Sequence, residues 1–121
     1  SGLLLMAAGR YDITIEQGAT FSLPISYKDS TGSVLNLSSG YTSRMMIKES
    51  AGGTTIKSLT NGVGNGMTLA ASGNNIVIDI SATDTASMDF DNAVYDLEIV
   101  SGSEVTRVLE GKVKLSREIT V

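Results

Sequence analysis

The stretch that most limits the folds open to this protein is residues 91–121. Ala93, Tyr95, Leu97 and Ile99 alternate with Val94, Asp96 and Glu98. Successive side chains of a strand point to opposite faces, so this run carries one apolar face and one largely charged face. Ser101-Gly102-Ser103 follows, a short turn in which Gly102 is free to take a positive φ. The backbone returns through residues 104–110 and continues to Val121. The pattern predicts a β-hairpin with one wet face.

The same two-residue rhythm recurs upstream. Tyr11, Ile13 and Ile15 alternate with Asp12, Thr14 and Glu16, and Phe21, Leu23, Ile25 and Tyr27 share a face in residues 20–28. Pro24 lies on the opposite face and has no N–H for a ladder, so its strand is expected at an edge or a bulge. Residues 41–49 place Met45 and Ile47 with Ser43 and Glu49, and Met46 with Arg44 and Lys48. Residues 54–59, 67–70 and 75–80 are further short strands. Asp29-Ser30-Thr31-Gly32, Ala51-Gly52-Gly53 and Ser72-Gly73-Asn74 are turns, and residues 61–66 are a flexible glycine-rich loop. Residues 83–90 lack a strand rhythm and suit one helical turn or a corner, with Met88 or Phe90 plugging the core. The sum is seven to nine short strands with turn signals every 8–12 residues, the spacing of a sandwich or a barrel. Residues 1–10 read as an N-terminal arm or a cloning remnant, with Met6 a natural start, and residues 11–121 as one β-sandwich domain.

Composition narrows the chemistry. The 121 residues include 41% apolar residues, enough for a real core, since a domain of this size hides roughly two-thirds of its unfolded surface. Absence of cysteine excludes disulfides and thiol nucleophiles, and absence of histidine removes the commonest general base and metal ligand. A net charge of −4 with scattered basic residues disfavours nucleic acid and anionic membrane as partners. No apolar run approaches the ~20 residues that span a bilayer as a helix.

Several constellations have the residue types of a site. Asp96 and Glu98 lie about 6.5–7 Å apart along one strand face, within the range of glycosidase carboxylate pairs. An alternating strand supplies such a pair on its wet face without any cleft, and Arg107 and Lys112 are candidate cross-strand partners. Asp84, Asp89 and Asp91 offer calcium-type oxygen ligands but lack the EF-hand spacing. The glycines of residues 62–66 lack the Lys-Ser/Thr ending of a phosphate loop. Asn36-Leu37-Ser38 is a glycosylation sequon if the protein is secreted by a eukaryote. Tyr11, Tyr27 and Tyr41 fit either a contact surface or a core face. No catalytic residue, cofactor site or metal site is expected.

Asp91-x-Ala93-x-Tyr95-x-Leu97 is different. Immunoglobulin-type sandwiches carry Asp-x-Gly/Ala-x-Tyr-x-Cys at the corner entering their sixth strand, where the tyrosine hydroxyl bonds to a nearby backbone group. Asp91, Ala93 and Tyr95 match, and Leu97 stands in for the cysteine. The motif leads to an all-β, immunoglobulin-like antiparallel β-sandwich with Asp91, Ala93, Tyr95 and Leu97 as its structural corner.

As a whole, the sequence resembles small structural proteins of tailed bacteriophages. The likeness runs through Tyr11-Asp12-Ile13-Thr14-Ile15-Glu16-Gln17-Gly18-Ala19-Thr20-Phe21, Tyr27-Lys28-Asp29-Ser30, Leu37-Ser38-Ser39-Gly40-Tyr41-Thr42 and Arg44-Met45-x-Ile47. It closes on Tyr95-Asp96-Leu97-Glu98-Ile99 and Val105-Thr106-Arg107-Val108-Leu109-Glu110-Gly111. The layout is similar to the immunoglobulin-like N-terminal domain of phage upper-baseplate proteins. The resemblance implies a non-enzymatic virion protein assembled in the host cytoplasm, a tail, baseplate or neck adaptor or a decoration domain. Its implied partners are other virion proteins or further copies of itself. The competing expectation is an extracellular adhesion or carbohydrate-binding module.

Overall fold

A computed structural model of the protein describes residues 2–5 and 8–120. The fold is all-β apart from one short helix. In sequence order the elements are β1 (Leu3–Leu5), β2 (Gly9–Arg10), β3 (Ile13–Glu16), β4 (Phe21–Tyr27), β5 (Thr42–Lys48), β6 (Thr55–Asn61), β7 (Gly66–Leu69), β8 (Ile76–Ile80), α1 (Ala82–Ala86), β9 (Asn92–Ser101) and β10 (Glu104–Ser116). The ten strands form one nearly closed sheet in the order β1-β4-β8-β7-β6-β5-β9-β10-β2, with β3 also on β10.

The 91–121 stretch forms the expected hairpin, paired from Glu104↔Ser101 to Lys114↔Asn92. Ala93, Tyr95, Leu97 and Ile99 are buried while Val94, Asp96 and Glu98 lie on the outer side. On β10 the register shifts between Arg107 and Leu109. Val108 is the extra residue of this bulge, and it and Leu109 are both fully buried. The face rhythm also holds in β5, where Ser43, Met45 and Ile47 are buried and Met46 is 41% exposed. In the half of β4 that holds Pro24, pairing to β8 covers one side, and pairing to β1 begins only at Ile25. That half is a sheet edge among the described residues, where a missing N–H does least harm.

Three features depart from expectation. The sheet is mixed rather than antiparallel, because β1–β4, β6–β7, β10–β2 and β10–β3 are parallel pairs. Alternation reports which side chains face the core and carries no information on the direction of a partner strand. Ten strands form rather than seven to nine, because residues 3–5 and 9–10 of the expected arm pair into the sheet. Two- and three-residue strands are too short for a periodic signal. They are not all short, since β10 runs 13 residues. Ser1 and Met6, read as remnant and start, lie outside the described residues.

The segment after β8 makes one helical turn as α1, and Met88 is the buried plug while Phe90 packs partly against the core. The Ser81 hydroxyl caps α1 by accepting from Asp84 N at 3.1 Å. Buried Thr85 ties α1 to the β3–β4 turn: its hydroxyl accepts from Gly18 N at 3.0 Å and donates to Ala19 O at 2.8 Å.

Two broad parts, β1-β4-β8-β7 and β6-β5-β9-β10, meet along the sheet path at a narrow joint. The joint consists of Thr60↔Gly66 and Asn61↔Met67. Aliphatic side chains of both parts fill one core, including Ile15, Ile25, Met45, Ile47, Ile78 and Leu97.

Candidate functional site

The four corner residues take separate positions. Leu97 is fully buried and Ala93 nearly so, each facing the core as the motif requires. Asp91 is exposed, and its carboxylate lies 3.3 Å from Arg117 Nη2. Tyr95 is only 4% exposed, and its hydroxyl donates to the carbonyl of Tyr11, 84 residues away. The immunoglobulin corner would place that bond on a nearby backbone group. The observed one instead reaches across β10 to the linker between β2 and β3. Burial foremost, and then the Asp12 charge, push the Tyr95 phenol well above its ordinary value of 10.0.

Gly111 makes this reach possible. A Cβ there would sit against the Tyr11 carbonyl, 2.8 Å from its carbon and 3.0 Å from Asp12 Oδ1. The linker is further held by Tyr11 N donating to Glu110 O at 2.9 Å and by Asp12 Oδ1 accepting from Lys112 N at 2.9 Å. Gln17 closes the far end: its Nε2 donates to Met88 O at 2.9 Å and its Oε1 accepts from Glu118 N at 3.0 Å. In the sequence this strap is present only as Asp12, Gln17 and Gly111, with nothing local to join them.

The outer face of β5, β9 and β10 is laid out in rungs set by the ladder registers. Lys48, Val94 and Lys112 form one, Met46, Asp96 and Glu110 the next, and Arg44, Glu98 and Arg107 the third. Arg10 extends the middle rung beside Glu110. Glu98 meets Arg44 at 2.7 Å, and Asp96 lies 3.7 Å from Arg107. Arg107 is thus one of the two expected partners; Lys112 and Lys48 make no salt bridge among the described residues. A groove of about 490 Å³ crosses these rungs, with Ala51 and Gly52 of the β5–β6 turn on its rim. Both carboxylates of the Asp96–Glu98 pair are turned to cations on an open face, so the pair works as part of a charged surface.

Asp84, Asp89 and Asp91 do not converge. Asp84 pairs with Lys57 Nζ at 2.8 Å, whereas Asp89 lies 2.9 Å from Arg117 Nη1, the group that also meets Asp91. The hydrogen bond from Lys57 holds the Asp84 carboxyl below its ordinary value, and Asp89 and Asp91 raise Arg117. No group of three or more acidic, histidine or cysteine side chains fit to hold a metal occurs among the described residues. The glycine-rich stretch is the β6–β7 connection, with Val63 fully exposed at its tip. Asn36 folds into a local turn, its Oδ1 accepting from Ser38 N at 3.0 Å. Of the three tyrosines, Tyr27 is buried, Tyr41 packs partly against the core, and Tyr11 is 40% exposed on the strap.

A scan against protein-family models matches none, and a search among curated proteins finds no match.

Proposed function

We propose that this protein is a non-enzymatic structural component of a tailed-phage virion. In this reading it is an immunoglobulin-like sandwich that joins other particle components through the outer face of β5, β9 and β10. The phage assignment rests on the resemblance of residues 11–120 described above. The single observation that supports an adaptor role is the ruled outer face, where Met46 and Val94 lie between ranks of charges, some of them paired among the described residues. Apolar contact area contributes affinity, while fixed charges on a rigid sheet orient a partner and reject wrong ones.

The finer fold assignment is supported by the pairing pattern. β4 pairs with β8, and β5 with β9 and β10, the neighbours that this reading would put in its two layers, with β1, β7 and β6 beside them. The joint of β6 with β7 turns those layers into one sheet path. The parallel β1–β4 pair and the distant acceptor of Tyr95 depart from that pattern.

The test is mass spectrometry of purified virions, combined with amine cross-linking. The protein is expected in the particle, with Lys48 and Lys112 cross-linked to another virion protein. Met46→Glu is expected to prevent incorporation while leaving circular dichroism unchanged. Absence of the protein from purified particles would overturn the assignment. Binding on a glycan array, abolished by changes at one loop, would favour the adhesion reading instead.

A further inference from the structure

We propose that Asn65 is a site of spontaneous covalent modification, and that the reaction acts on the joint between the two parts of the sheet. The sequence has two Asn-Gly dipeptides, Asn61-Gly62 and Asn65-Gly66, at opposite ends of one connection. Glycine lacks the substituent that would hinder attack by its own amide nitrogen on the preceding asparagine. Sequence alone therefore treats the two sites alike, and the fold separates them.

At Asn61 both reacting groups are engaged. Its Oδ1 accepts from Ser43 N at 2.8 Å, and the Gly62 amide donates to Met67 O at 3.1 Å. Reaction there requires both bonds to open. Asn65 is exposed, and its carboxamide makes one long bond, Nδ2 to Asn61 O at 3.3 Å. The ladder of β6 and β7 runs through Thr60 N to Asn65 O and Gly62 N to Met67 O. Gly66 faces the other way by strand alternation, one step beyond the last β7–β8 pair at Met67↔Ile78.

The step balances with water as the only co-reactant. The Gly66 nitrogen loses its proton to solvent base and attacks Asn65 Cγ. A new bond from that nitrogen to Cγ closes the ring, the Cγ–Nδ2 bond of Asn65 breaks, and ammonia leaves. Water then opens the cyclic imide at either carbonyl, giving aspartate or isoaspartate. The second product inserts a methylene into the backbone at the residue whose carbonyl accepts from Thr60 N. One of the few bonds that join β6 to β7 is then displaced.

The experiment incubates the intact protein at mildly alkaline pH and maps peptides spanning residues 61–66 by fragmentation mass spectrometry. The same protein in denaturant is the control. Asn65 is expected to convert about tenfold or more faster than Asn61 when folded, because Asn61 reacts only after local opening. The two are expected to converge in denaturant. The isoaspartate form should show faster hydrogen exchange at the Thr60 and Gly62 amides. Equal folded rates, faster conversion of Asn61, or no conversion at Asn65 would overturn the proposal.

Discussion

The sheet is held at two places by different means. At the strap, side chains reach over a strand: the Tyr95 hydroxyl and Asp12 grip the linker across Gly111, and Gln17 ties the end to Met88 and Glu118. At the β6–β7 joint, two backbone pairings flank an exposed glycine-rich connection. The strap closes over the buried Tyr95 and is unforgiving of volume at Gly111. The joint is open to water and rests on backbone conformation. Damage to the strap should therefore lower the stability of the whole fold, whereas damage to the joint should be felt locally.

Gly111→Ala should have the largest effect, because the new Cβ meets backbone that cannot yield cheaply. A loss of about 3 kcal/mol is expected by urea unfolding; a variant as stable as the parent would break the comparison. Tyr95→Phe leaves the Tyr11 carbonyl without its partner and should cost about 2 kcal/mol. The same variant sharpens the assignment through pH. With its phenol raised in the folded state, Tyr95 contributes stability that is full below pH 10.0 and is lost as pH rises toward the folded value. The unfolded state releases that proton first, so the parent should lose up to about 1.4 kcal/mol per pH unit there. The phenylalanine variant should lack that share of the alkaline slope.

Gly66→Ala tests the other side. Gly66 has φ +101°, which L side chains rarely adopt, and a Cβ there would lie 2.5 Å from Cδ2 and 3.2 Å from Cβ of the buried Leu59. The loss should be about 1–2 kcal/mol by urea unfolding, smaller than for Gly111→Ala, while exchange of the Thr60 and Gly62 amides quickens. A global loss matching that of Gly111→Ala would erase the distinction. Asp84→Asn should have the smallest effect, since this carboxylate is half-exposed beside Lys57 and a surface ion pair contributes little. Because its folded value is lowered, whatever it contributes is present above pH 3.8 and lost in stronger acid. Thermal melts of the variant and parent should coincide near neutral pH.

How much of this is legible in the sequence follows from range. The β9–β10 hairpin and the outward turn of Met46 are legible, because alternation is a property of neighbouring residues. Ala93 and Leu97 are legible as core positions for the same reason. The acceptor of Tyr95 is not, since Tyr11 lies 84 residues away and nothing at Tyr95 encodes it. Gly111 reads like any strand glycine until the linker is seen crossing it. The rungs of the outer face are half legible: Asp96 with Arg107 follows from the hairpin, but Glu98 with Arg44 needs the register of β5 against β9.

The extra residue at Val108 has a consequence for how this hairpin tolerates change. Ahead of it, odd-numbered side chains such as Val105 and Arg107 look outward; past it, even-numbered ones such as Glu110 and Lys112 do. The bulge thus acts as a gear that resets parity midway along a long strand. Deleting that single position would leave an unbroken alternation, with Arg107 still outward opposite Glu98 and Leu109 inward opposite Leu97, whereas an inserted residue elsewhere in the strand would turn one side of it inside out. Adding or removing a pair of residues in the Ser101–Ser103 turn would leave parity untouched.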